Sequence, residues 1–105
     1  MEIREFDEYH ISYYAMRNSS LVARIVLLSG GVGVGWINFI SESVSLPANH
    51  QHVNRGLILN FPESKFGDIV DILRYEEPLY VSLNVDNGVG ALQTDREPIG
   101  EEESD

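Results

Sequence analysis

Residues 21–40, LVARIVLLSGGVGVGWINFI, decide the fold. Leu21, Ala23, Ile25 and Leu27 alternate with Val22, Arg24, Val26 and Leu28, so a strand over 21–28 is apolar on both faces. Such a strand is central in its sheet or covered on both sides. Ser29-Gly30-Gly31 supplies a tight connection, because glycine takes the positive φ that tight turns demand. Residues 32–40 then read as the next strand.

Upstream, 8–16 (EYHISYYAM) also repeats with a period of two. Tyr9, Ile11, Tyr13 and Ala15 fall on one face; His10, Ser12, Tyr14 and Met16 fall on the other. Arg17-Asn18-Ser19-Ser20 is turn chemistry, so the three strands are expected to form a meander, with Tyr9 and Tyr13 mostly buried. Downstream, 41–55 (SESVSLPANHQHVNR) loses all periodicity and reads as a long loop. Residues 56–61 (GLILNF) look like a short buried strand. Phe66, Ile69, Val70 and Leu73 carry the spacing of an amphipathic helix, with Ser64 as its N-cap and Pro78 barring its extension past Glu77. Residues 79–85 (LYVSLNV) alternate, Asp86-Asn87-Gly88 is a hairpin signal, and 89–94 (VGALQT) return as the last strand.

The order is therefore β-β-β-β-α-β-β. One helix cannot shelter both faces of so apolar a sheet. The fold expected is α+β: a strongly bent antiparallel sheet of about six strands, closed partly into a barrel, with one amphipathic helix packed on it. Residues 1–96 form a single domain, and 97–105 (EPIGEEESD), with five acids and no base, form a solvated, disordered tail.

Seventeen acids oppose seven bases, a net charge of −10. That balance argues against a nucleic-acid partner, since phosphate binding rests on Lys and Arg. It favours attraction of a basic protein. There are no cysteines, so disulfides and thiolate chemistry are excluded. No apolar run reaches the ~18 residues of a membrane helix, and MEIREFDEYH has the wrong charge for a targeting signal. A cytoplasmic protein is expected.

The cluster Gly30, Gly31, Gly33, Gly35 resembles a phosphate loop only in outline. Trp36-Ile37 stands where Lys-Ser/Thr would be needed, and Asn38 stands where a dinucleotide fingerprint needs glycine. Gly33 and Gly35 instead leave a bare stripe of backbone, suited to a bend or to close approach by a large side chain or ligand. His50 and His52 have metal-like spacing and share a face if extended, but the sequence offers no third ligand beside them. No nucleophile elbow is present, and Asp68 and Asp71 fit a solvated helix face. No cofactor is expected. Trp36, Tyr14 and Tyr80 are the aromatics least committed to a core; gathered on one side they would make an interface patch.

The function these features favour is a non-catalytic protein-interaction module with an acidic surface, binding a protein partner or a second copy of itself as a homodimer. The alternative is a small-ligand domain with a pocket in the curled sheet near Trp36, Gly33 and Gly35. An enzyme without a recognised motif ranks third.

Overall fold

The computed structural model describes residues 1–15 and 19–95. Arg17, Asn18 and the acidic segment 97–105 lie outside the described residues. The elements are β1 (Glu2–Phe6), β2 (Glu8–Tyr13), β3 (Leu21–Ser29), β4 (Val32–Ile40), β5 (His50–His52), β6 (Gly56–Pro62), α1 (Phe66–Tyr75), β7 (Leu79–Asn84) and β8 (Val89–Thr94). A 3-10 turn over Glu63–Lys65 leads into α1. No helix among the described residues is long and apolar enough to cross a membrane.

The α+β class holds, but the architecture departs from a barrel of about six strands. Among the described residues eight strands form two open sheets, ordered β2-β3-β4-β6-β5 and β1-β7-β8. β1 and β2 are separated only by Asp7, where the ribbon leaves one sheet for the other. Asp7 fixes that corner: its N–H donates to the Leu28 carbonyl (3.0 Å), and its carboxylate accepts from the Gly30 N–H (3.3 Å). The three-stranded sheet and α1 together cover the inner face of the larger sheet, so that sheet buries its inner side without closing on itself.

The meander β2-β3-β4 is as expected, antiparallel throughout. The sheet is mixed rather than antiparallel, however, since β6 runs parallel to β4. Parallel neighbours need a crossover of about a dozen residues or more, and the aperiodic stretch 41–55 is that crossover. On its way back it contributes β5, which pairs antiparallel with the edge of β6.

Inward alternation builds the core. Ala23, Ile25 and Leu27 of β3, Ile37 and Phe39 of β4, and Leu57 and Leu59 of β6 meet Val81 and Leu83 of β7 and Ile69 and Leu73 of α1. Phe39 anchors the helix end: its ring packs edge-on against Phe66 at 5.0 Å, and Phe66 takes Tyr13 edge-on at 5.1 Å. Tyr9 and Tyr13 themselves stay exposed, contrary to expectation, because β2 is an edge strand with no neighbour on its outer side among the described residues. Ser64 does not cap α1. Its N–H donates to the Glu42 carboxylate (3.1 Å), while the Glu42 N–H donates to Glu63 (3.3 Å), so the start of the crossover is clamped to the helix approach. The expected strand over 79–85 stops at Asn84: the β7–β8 loop spans Val85–Gly88, with the Gly88 N–H closing on the Asn84 carbonyl (2.8 Å), and Val85 is exposed.

Two glycines let β4 and β6 approach. A Cβ on Gly35 would sit 2.6 Å from the Leu57 carbonyl oxygen. Gly56 has φ +81°, and a Cβ there would collide with the Val34 carbonyl. Gly33 has open space around its Cα and stands beside a register irregularity in the β3–β4 pair. Gly35→Ala is therefore expected to cost about 1–3 kcal/mol of unfolding free energy in urea denaturation. Gly33→Ala should stay within about 0.5 kcal/mol of wild type.

Candidate functional site

Alternation turns the second side of the five-stranded sheet outward, and the register aligns its side chains in rows. His10, Val26, Trp36, Ile58 and His50 form one row across all five strands. Ser12, Arg24, Asn38 and Asn60 form the next. His52 follows His50 on the same side of β5, so all three histidines of the chain lie on this face.

Arg24 and Trp36 are diagonal neighbours on adjacent strands. The Arg24 guanidinium carbon lies 3.7 Å from the indole centroid. Its Nε donates to Asn38 Oδ1 at 2.8 Å. Asn38 Nδ2 donates to Asn60 Oδ1 at 3.2 Å, and Asn60 Nδ2 donates to the Ala48 carbonyl at 3.0 Å. Both amides are buried, so this relay supplies the partners that burial requires. Asn49 completes it, accepting from the Asn60 N–H (2.7 Å) and donating to the Gly88 carbonyl (2.9 Å).

From the other flank of β4, the turn between β5 and β6 brings Arg55, whose guanidinium carbon is 4.8 Å from the ring centroid. A cation over an indole is worth about 0.5–2 kcal/mol, enough to orient a guanidinium and too little to neutralise it. Arg55 Nη1 lies 3.2 Å from His52 Nε2, while the Asn54 N–H donates to His52 Nδ1 at 3.1 Å. The chain carries seventeen acids to seven bases, yet neither Arg24 nor Arg55 forms an ion pair with a carboxylate among the described residues. Arg4 does, with Glu2 at 2.9 Å, on the edge of the other sheet. Chemically the face carries two guanidiniums over one indole, with three imidazoles and the apolar Val26 and Ile58 on the same side of the sheet.

The aromatics singled out from sequence do not gather. Trp36 is half-buried at the centre of this face. Tyr80 lies on β7 in the other sheet, where burial, then the charges of Asp95 and Glu5, push its hydroxyl above the usual tyrosine range and keep it a neutral donor. Tyr14 sits just past β2, its N–H held by the Val22 carbonyl (2.8 Å). Gly35 faces inward against the Leu57 backbone, and Gly33 lies near the exposed β3–β4 turn. His50 and His52 share a face, but no third metal-ligating side chain is grouped with them among the described residues. Sequence reasoning passed over Arg24, Arg55, Asn38, Asn60 and His10. The signal was the lone charge inside LVARIVLL, which needed strand register to place it beside Trp36.

Among the described residues, two cavities lie away from this face, and Trp36 lines neither. One, of about 200 Å³, sits between the β1–β2 corner and the end of α1, with Glu5, Asp7, Glu76 and Glu77 around Phe6 and Leu73. The other, of about 220 Å³, is bordered by Ile3, Tyr80 and Asp95.

Asn38→Ala breaks the amide relay at its middle and strands the Arg24 Nε and the Asn60 carbonyl. It is expected to cost about 1–3 kcal/mol, read as a lower urea midpoint at unchanged slope.

No protein-family model, no curated protein and no solved structure matches the chain.

Proposed function

We propose that the protein is a non-catalytic interaction module that docks a protein partner on the outer face of its five-stranded sheet. The observation that carries this reading is the Arg24–Trp36–Arg55 cluster: two guanidiniums ordered over one half-buried indole, with no carboxylate paired to them among the described residues. Tryptophan and arginine are the residue types that dominate protein interfaces, because each combines a large rigid apolar surface with directional donors. The cluster lies on a sheet face and lines neither of the two cavities described above, which suits a broad partner surface better than an enclosed small ligand. A second copy of the chain is one form such a partner can take.

The test is capture with the full chain as bait at fixed salt, combined with light scattering. Wild type is expected to retain a partner or to self-associate. Trp36→Ala and Arg55→Ala should lose that species, with the melting temperature of the Arg55 variant unchanged. A monomer that captures nothing, or capture indifferent to both substitutions, overturns the reading.

A further inference from the structure

We infer that the segment bound on this face is an acidic peptide stretch of the partner, with two carboxylates held by Arg24 and Arg55, which reach Trp36 from the two flanks of β4. The inference rests on the reading that this face is the interface, and it names the chemistry that the face selects.

Arg24 is ready for an anion. Its Nε is engaged by Asn38 and its plane is packed on Trp36, so the fork is already oriented while both Nη groups remain without a carboxylate. A guanidinium held in that way loses little freedom on binding, and its paired donors match the two oxygens of a carboxylate.

Arg55 shows the same need by a different route. A neutral imidazole has one lone pair and one N–H. At His52 two donors converge on the ring: the Asn54 N–H at Nδ1 and the Arg55 Nη1 group at Nε2. Both cannot be accepted. With Nδ1 taken by Asn54, Nε2 carries the proton and faces Arg55 donor to donor. An incoming carboxylate resolves the conflict, because its oxygens accept from Arg55 Nη1 and from the His52 Nε2–H together.

The net charge of −10 favours a basic partner for the molecule as a whole, but this face carries cations, and complementarity at the face sets the class of the bound segment. The remainder of this chain is strongly acidic, yet its carboxylates do not reach these two cations among the described residues. A single-stranded nucleic acid is the competing polyanion and fits less well. Such partners stack bases on exposed aromatic faces, and here guanidiniums already occupy the indole. Two arginines on a chain of net charge −10 match a pair of carboxylates rather than a run of phosphates. Glu8, on the same side of the edge strand β2, bounds the anionic footprint there.

Trp36 is the chain's single tryptophan, so its fluorescence reports the site directly. The full chain is titrated with a short peptide of alternating glutamate and serine, with its glutamine counterpart, and with a thymidine oligonucleotide. The glutamate peptide is expected to change Trp36 emission saturably and the glutamine peptide to leave it unchanged. Arg55→Ala should weaken binding about tenfold at an unchanged melting temperature, and Arg24→Lys, which keeps the charge but loses the planar fork, should weaken it as well. Absence of a saturable change, equal binding of the glutamine peptide, indifference to both substitutions, or tighter binding of the oligonucleotide overturns the inference. If Arg55→Ala abolishes partner capture while the glutamate peptide does not bind, the interface stands and the acidic segment falls. If capture survives the substitutions, both fall.

Discussion

The inner face of β3, β4 and β6 must be kept from water, and no single element of this chain is large enough to do it. Ile25, Leu27, Ile37, Phe39, Leu57 and Leu59 are all essentially inaccessible. At roughly 25 cal/mol per Å² of buried apolar surface, such a face is the dominant favourable contribution to folding. Its two ends are covered by different means. The helix stripe of Phe66, Ile69 and Leu73 lies over one part, and Leu79, Val81 and Leu83 of the three-stranded sheet lie over the other. The break at Asp7 follows from this demand: only by leaving the larger sheet can the amino-terminal ribbon become part of its cover.

What could be read in advance was what depends on near neighbours. The helix stripe, the β3–β4 hairpin and the return of β7 into β8 each declare themselves within about ten residues by their periodicity and turn residues. β1 did not, because EIREF interleaves charge with apolar residues, and its Arg4 and Glu2 lie on the inner-facing side at an edge, a pattern that guards edges but disguises strands. β5 is three residues long and owes its existence to the exposed edge of β6. The parallel pairing of β4 with β6 is a long-range fact, invisible to any local pattern.

The candidate site was half legible for the same reason. Trp36 could be marked as uncommitted because it follows the Gly33 and Gly35 stripe, whereas its guanidinium neighbours come from β3 and from the turn after β5. Neither sequence distance nor composition suggests that a chain with so few bases would place two of them over one indole. Strand register creates that juxtaposition, and the buried asparagine relay fixes it by giving Arg24 an anchor at its Nε.

The close seam between β4 and β6 ties backbone fit to recognition. Gly35 precedes Trp36 and Gly56 follows Arg55, and each glycine is held where a methyl group would strike the opposite strand. Widening the seam to admit a larger residue would move the indole away from the second guanidinium by the same displacement. Mutational drift at these two positions is therefore penalised twice, once through packing and once through the spacing of the cations. A descendant sequence could shed the face's chemistry freely by replacing Arg55, but it could not easily keep that chemistry while letting the glycines go.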